Sequence, residues 1–313
     1  MSVREAFPLS KSLSSVVLLA TIAQLSVAVL IHSAWLVTGN AQWLHYFFGY
    51  QSPVFFISFS VVELSLSIVA CQQFSRGQSL RMAWVLISIT AACRLLGGVL
   101  SHLLSTDSYL NPLFVLNIEW YRSARVLLLP LGRAIGGSLS MGILACGLIL
   151  VLRLYGKLGL LGRLKGWDWG LLGIVSAYSL IVAYTVVRAR MNSGRAPGVL
   201  GYLDWAGDPL LCLLLFESVW IRRSLLDMGW GFISKCWACF VTAIFLTSLG
   251  SMGYWATNYG YFPWPESSVT WYVWYLVSAA FALAPIYQVE ASRTSRQRLA
   301  PLLIGAPVSA LPC

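Results

Sequence analysis

Long apolar runs, separated by short basic segments, dominate this sequence. The first, residues 16–38, holds no Asp, Glu, Lys or Arg. A helix needs about 20 apolar residues to cross the hydrocarbon core of a bilayer, whereas the strands of a membrane β-barrel are about 10 residues of alternating polarity. In lipid, only helices and closed barrels satisfy every backbone hydrogen bond. The runs therefore predict an all-α, polytopic transmembrane helical bundle.

Composition excludes the other broad classes of protein. Hydrophobic residues make up 58% of the 313 positions and charged residues only 10%, where a soluble domain carries about 25% charge. That composition excludes a large soluble domain, a disordered tail and a secreted disulfide scaffold. The lipid bilayer is accordingly the one partner that the composition itself predicts.

Eight of the runs are long enough to be membrane spans. They lie at residues 16–38, 54–71, 82–104, 126–152, 169–187, 205–221, 230–252 and 268–289. The sixth is the weakest, because its strictly apolar part is short and contains Glu217, so a re-entrant or interfacial segment is the alternative. We predict about 8 transmembrane helices.

Basic residues indicate the orientation of the chain. Most of the 21 Lys and Arg residues fall on one side of the eight predicted spans, together with both chain ends. By the positive-inside rule that side is cytoplasmic, in a plasma or bacterial inner membrane. The formal charge of +10 is then topogenic, and no nucleic-acid partner is predicted.

The spans divide the chain into five parts. We predict a cytoplasmic N-terminus (1–15), a first four-helix half (16–152), a basic cytoplasmic loop (153–168), a second four-helix half (169–289) and a basic cytoplasmic tail (290–313). Each half has an even number of helices, so both halves would have the same orientation, related by an axis along the membrane normal.

The two halves also resemble each other in sequence. MAWVLISITAAC, from Met82, and MGWGFISKCWAC, from Met228, agree at six of twelve positions. This favours a 4+4 parallel internal repeat, although chance agreement between apolar helices is the alternative. In duplicated membrane proteins the binding site tends to lie between the halves.

Two ionisable residues fall near the middle of neighbouring predicted spans. Glu63 lies in the second span and Arg94 in the third, at similar depth. A charge at mid-membrane costs about 2.5–3.5 kcal/mol, so such residues are candidates for a functional site. We predict that Glu63 and Arg94 form a buried pair at the centre of a polar site. A pair that only locks two helices together is the alternative.

Glu217 and Arg133 complete the candidate polar core. Arg222 and Arg223 follow Glu217 by five and six residues. This spacing places them only loosely on the same face of a helix. Glu217 is therefore predicted to be unpaired and partly protonated, as a proton relay or a general acid, with a hydrogen-bonded core carboxyl as the alternative. Arg133 has no acid at equal depth in the neighbouring spans and is the candidate contact for an anionic group.

The three histidines, His32, His45 and His102, fall at or near the outer side of the predicted membrane. Their spacing does not match a set of metal ligands on one helix, so interfacial or hydrogen-bonded histidines are favoured over ligands. We predict no metal site and no cofactor. His32 and His102 remain the two weaker site candidates.

The sequence leaves three functions open. The favoured one is a protein that binds a small or lipidic molecule between its helices for transport or for sensing. The second is an intramembrane acid-base enzyme that uses Glu63 and Glu217 on an isoprenoid or quinone-like substrate. The third is a structural or assembly subunit of a membrane complex; no particular protein partner is indicated.

Overall fold

The computed structural model describes residues 9–40, 42–104, 128–192, 207–226, 231–258 and 268–305. Over these ranges the chain is helical, with short connections and no β-strand. The α-helices are α1 (Leu9–Thr38), α2 (Gln42–Tyr46), α3 (Ser52–Gln72), α4 (Ser79–Leu104), α5 (Ser140–Lys157), α6 (Gly166–Asn192), α7 (Gly207–Leu226), α8 (Phe232–Asn258) and α9 (Ser268–Gly305). Two π-helical segments, Phe47–Gln51 and Ile135–Leu139, lead into α3 and α5.

Six segments of the described chain are long and apolar enough to cross a membrane. They are Leu13–Thr38, Ser52–Gln72, Ser79–Ser101, Leu128–Lys157, Phe232–Ser251 and Thr270–Thr294. The prediction of an all-α fold is thus confirmed for the described residues, and six of the helical segments are compatible with crossing a membrane. The fifth and sixth predicted spans coincide with α6 and α7, which are not among the six segments. Eight crossings therefore stay a prediction.

Six helices are arranged in a ring. In the order α3, α4, α5, α7, α8, α9 and back to α3, each helix packs against the next. Helix α1 lies outside the ring against α9, and α6 lies outside it against α7. The largest fully buried side chains include Trp84 on α4, Trp237 on α8 and Tyr275 on α9. The ring thus joins helices from both ends of the sequence around one interior.

Small residues bring α4 and the π-helical turn before α5 into close contact. A Cβ atom on Gly97 would lie 2.4 Å from the Cα atom of Gly136, and one on Gly132 would lie 2.9 Å from the Cβ atom of Leu100. Such close backbone approach is a common basis of helix association in lipid, where hydrophobicity does not itself drive helices together. The small-residue stretch of the fourth predicted span therefore forms a packing surface.

The predicted outer loop before the second span is partly helical. Residues 42–51 form α2 and the first π-helical segment. In this segment Leu44 and Phe47 are buried, while Trp43 and Tyr46 are exposed. Phe47 therefore packs into the protein, whereas the side chains of Trp43 and Tyr46 remain accessible.

Substitution of Gly97 tests the close contact between α4 and the turn before α5. We expect Gly97→Ala to lower the free energy of unfolding by about 1–3 kcal/mol, the usual cost of overpacking. Gly98→Ala is the matched control, because no atom lies within 4 Å of a Cβ placed there. The measurement is the thermal unfolding midpoint of each purified variant in the same lipid nanodisc. Equal midpoints for the two variants would contradict the contact.

Candidate functional site

Glu63 on α3 and Arg94 on α4 form an ion pair inside the bundle. The Nη1 atom of Arg94 donates to both carboxylate oxygens of Glu63, each at 3.0 Å. The side chain of Glu63 is 4% exposed and that of Arg94 is 19% exposed. The carboxylate is therefore enclosed by protein, whereas part of the guanidinium still faces open space.

Phe281 on α9 supports the guanidinium from a third helix. The Cζ atom of Arg94 lies 3.7 Å from the centre of the Phe281 ring. A cation over an aromatic face is attracted by the ring quadrupole, and the attraction grows when the cation is shielded from water. Arg94 is thus held by a carboxylate of α3 and an aromatic face of α9, and the three helices meet at this residue.

The exposed part of Arg94 lines a cavity of about 160 Å³ inside the ring. Helices α4, α5, α7, α8 and α9 and the π-helical segment before α5 all contribute to its wall. Most of the lining is apolar, and it includes Leu211, Ile244 and Trp274. Among the described residues that line this cavity, Arg94 is the only one with a charged side chain. Glu63 is not a lining residue, so its carboxylate lies behind the guanidinium as seen from the cavity.

The hydroxyl groups in the cavity wall donate to backbone carbonyl groups. Thr90 donates to the carbonyl oxygens of Leu86 at 3.0 Å and of Ser140 at 3.3 Å, and Thr247 donates to that of Ala243 at 2.7 Å. A hydroxyl has one hydrogen to donate and accepts through its oxygen. These hydroxyls can therefore offer acceptors to a molecule in the cavity, and the guanidinium is the principal donor.

The π-helical turn before α5 shapes one side of the cavity. Gly136 and Gly137 lie in this turn and line the wall. Ser140 donates to the carbonyl oxygens of Gly136 at 2.7 Å and of Gly137 at 2.8 Å. Single π-helical turns inside α-helices are frequent at functional sites, because they displace the backbone locally. A Cβ on Gly136 would face α4, 3.1 Å from the Cα atom of Gly97, whereas a Cβ on Gly137 would meet no atom within 4 Å. The turn therefore leaves space open at Gly137.

Glu217 is buried on α7, outside this site. It is not a lining residue of the cavity, although Leu214, one turn away on the same helix, is. Neither carboxylate oxygen has a hydrogen-bond partner among the described residues. The role predicted for Glu217 stays a prediction, and the structure does not bring Glu217 to Glu63 and Arg94.

The other predicted site residues whose side chains are described are not lining residues of the cavity either. Arg133, in the helical residues before the second π-helical segment, has an exposed side chain and is not a lining residue. His32 is buried on α1, where its Nδ1 atom is 2.6 Å from the hydroxyl oxygen of Tyr272 on α9. The side chains of His45 and His102 lie outside the described residues.

Sequence reasoning did not find Phe281 or Trp274, which contact Arg94 or line its cavity. Both stand in a predicted span that is rich in aromatic and small residues, and nothing in its pattern separates one face of that helix from another. Gly136 and Gly137, which also line the cavity, are not among the predicted site residues either. Glu63 and Arg94 could be predicted because each is a charged residue near the middle of an apolar run.

No protein-family model, curated protein or solved structure matches this chain. The function of the cavity is therefore argued from its own geometry.

A double-mutant cycle tests the ion pair. We expect Arg94→Leu to lower the free energy of unfolding by about 3 kcal/mol, because it leaves a buried carboxylate without its partner. The combined variant Glu63→Leu/Arg94→Leu should recover much of that loss, since neither charge then remains. Unfolding of the four proteins in one detergent measures the coupling. Arg133→Leu, at an exposed arginine, is the control and should stay close to the parent; additive effects of the two single substitutions would contradict the pair.

Substitution of Glu217 is expected to raise the free energy of unfolding, in contrast to substitution of Arg94. A buried polar group without a hydrogen bond costs about 1–3 kcal/mol. We therefore expect Glu217→Met, which fills similar space with an apolar side chain, to raise the free energy of unfolding by about 1 kcal/mol or more. Glu217→Gln is the matched control, because its amide would meet the same surroundings and should change stability little. A loss of stability in Glu217→Met would show that the carboxyl has a partner in the folded protein.

Proposed function

We propose that this protein binds a small molecule in the central cavity between its helices, either to carry it across the membrane or to sense it. The observation that supports the proposal is the cavity itself, whose apolar wall comes from five helices and contains one guanidinium. Ligand sites of proteins are commonly apolar cavities with a few placed polar groups. An ionisable residue inside a membrane bundle supports the same interpretation.

The size of the cavity limits the ligand. It has a volume of about 160 Å³, and an apolar cavity of about 150 Å³ in another protein holds one benzene molecule. The ligand we propose is therefore of about this size, with a compact apolar body and a polar end near Arg94. A lipidic ligand would have only one end in the cavity.

We further infer that the bundle is built from two parallel four-helix halves that together cross the membrane eight times. The order of the ring supports this arrangement. Helices α3, α4 and α5 can be matched in order to α7, α8 and α9. Under this matching, each pair of helices that are neighbours in the ring corresponds to another pair of neighbours. Such an arrangement is expected if the halves are related by an axis along the membrane normal. The distribution of Lys and Arg supports a plasma or inner membrane location with both ends cytoplasmic.

The arrangement of the two buried glutamates favours binding over acid-base catalysis. An enzyme that used Glu63 and Glu217 as acid and base would need both carboxyls at one substrate. Glu63 lies behind Arg94, and Glu217 is not among the residues that line the cavity. A purely structural role of the ion pair predicts instead that the cavity binds nothing.

Filling the cavity tests the proposal. A Cβ on Gly137 would meet no atom within 4 Å, so Gly137→Leu should place its side chain in the cavity without a clash. We use benzenesulfonamide, a neutral compound with a benzene ring, as the probe. It should raise the unfolding midpoint of the parent protein in nanodiscs, because a ligand that binds only the folded state stabilises it.

Gly98→Leu is the matched control, since it introduces the same side chain at a helical glycine that is not a lining residue. Benzenesulfonamide should stabilise Gly98→Leu as it does the parent, and should have no effect on Gly137→Leu. Equal stabilisation of all three proteins, or of none, would refute binding in this cavity.

A further inference from the structure

We propose that the ligand of this cavity is a small organic monoanion, and that each anion binds together with one proton, which Glu63 takes up. This inference rests on the proposed function, because it concerns the same cavity. The anion would contact Arg94 from the cavity, while the proton neutralises the carboxylate behind it.

The donors of Arg94 support an anionic ligand. An arginine has five N–H donors, and both hydrogen bonds that Arg94 makes to the described residues come from its Nη1 atom. The donors on Nε and Nη2 therefore have no partner among the described residues. Because the neighbouring hydroxyls of Thr90 and Thr247 donate to backbone carbonyls, the cavity offers a concentrated set of donors at one point. A carboxylate or sulfonate accepts such donors better than a neutral group does.

The balance of charge requires the proton. In the ligand-free site Glu63 is negative and Arg94 positive, so the pair is neutral overall. An anion placed against Arg94 would add a second negative charge close to the first, where little water can screen the repulsion. One proton from the aqueous phase converts Glu63 to the neutral acid. The site then holds the guanidinium and the anion, and its net charge is again zero.

Phe281 allows this exchange of partners. If Glu63 were the only group holding the guanidinium, its protonation would weaken the position of Arg94. The ring of Phe281 lies 3.7 Å from the guanidinium carbon and attracts it whatever the protonation state of Glu63. Arg94 can thus keep its place at the cavity while its negative partner changes from the glutamate to the ligand.

The surroundings of Glu63 offer no other base of comparable charge in the described chain. Helix α3 packs against α4, α9 and the first π-helical segment. On α4 the charged group at the pair is Arg94. On α9 the residue at the pair is Phe281, which contacts Arg94; Tyr275 lies six residues before it and Tyr287 six residues after it. At about 1.5 Å per residue, each tyrosine is roughly 9 Å from Phe281 along the axis. The segment Phe47–Gln51 contains no Asp, Glu, Lys, Arg or His.

Proton uptake by the wild-type protein is the first test. The probe is benzenesulfonate, which stays ionised over the whole range measured, so any proton taken up must bind to the protein. We expect titration calorimetry in buffers of different ionisation enthalpy to show uptake of about one proton per anion bound at pH 7. The Kd should rise as the pH rises, by up to tenfold for each pH unit, because binding takes up one proton. Binding without proton uptake and with a Kd independent of pH would overturn the proposal.

Substitutions of Glu63 and Arg94 test which residue takes up the proton and which binds the anion. Glu63→Gln resembles the protonated carboxyl, so it should bind benzenesulfonate without proton uptake and with a Kd independent of pH. Arg94→Gln should weaken binding of the anion at least tenfold and affect benzenesulfonamide much less. Arg133→Gln, at an exposed arginine that does not line the cavity, is the control and should bind as the parent does. Undiminished proton uptake in Glu63→Gln would place the proton on another group and refute this assignment.

The two proposals fail in different ways. If benzenesulfonamide binds and is excluded by Gly137→Leu, but benzenesulfonate does not bind, the cavity is a ligand site and the anion inference is wrong. If neither compound binds, the proposed function itself fails. Uptake of benzenesulfonate into proteoliposomes, driven by an alkaline interior and insensitive to voltage, would identify transport rather than sensing as the use of the site.

Discussion

Compensation of a positive charge inside an apolar bundle is the constraint on which the rest of this structure depends. An arginine near the middle of a membrane helix costs about 2.5–3.5 kcal/mol, and Arg94 stands in a segment apolar enough to cross a membrane. Glu63 offsets the charge through a hydrogen-bonded ion pair, and Phe281 offers its ring face. Because these partners come from α3 and α9, neutralisation of one side chain also joins helices that are far apart in the sequence.

The cavity follows from how the helices close around that residue. On one side Gly97 and Gly136 let the backbones of α4 and the following π-helical turn approach closely. On the other, Gly137 places no side chain in the interior, and leucines of α7, Ile244 of α8 and aromatic residues of α9 complete the wall. The close contact at Gly97 and the absence of a side chain at Gly137 thus leave a space that Arg94 lines.

The two buried glutamates show how surroundings decide the role of a residue type. Glu63 has a cationic partner and lies behind the cavity, whereas both oxygens of Glu217 lack a hydrogen-bond partner among the described residues. The first can exchange its partner for a ligand at constant net charge. The second is held in the bundle at an energetic cost, and the cavity does not account for it.

The amino-acid sequence by itself determined the helical class and the position of six apolar helices long enough to cross a membrane, since length and apolarity are what a bilayer requires of a helix. It also indicated Glu63 and Arg94, because a charge within an apolar run stands out and two residues at equal depth can meet. The ring order, the contribution of Phe281 and the opening at Gly137 were decided only by the tertiary structure. The physical reason is that lipid and protein interior are similarly apolar, so hydrophobic residues lie on all faces of such helices and do not reveal which face packs against which.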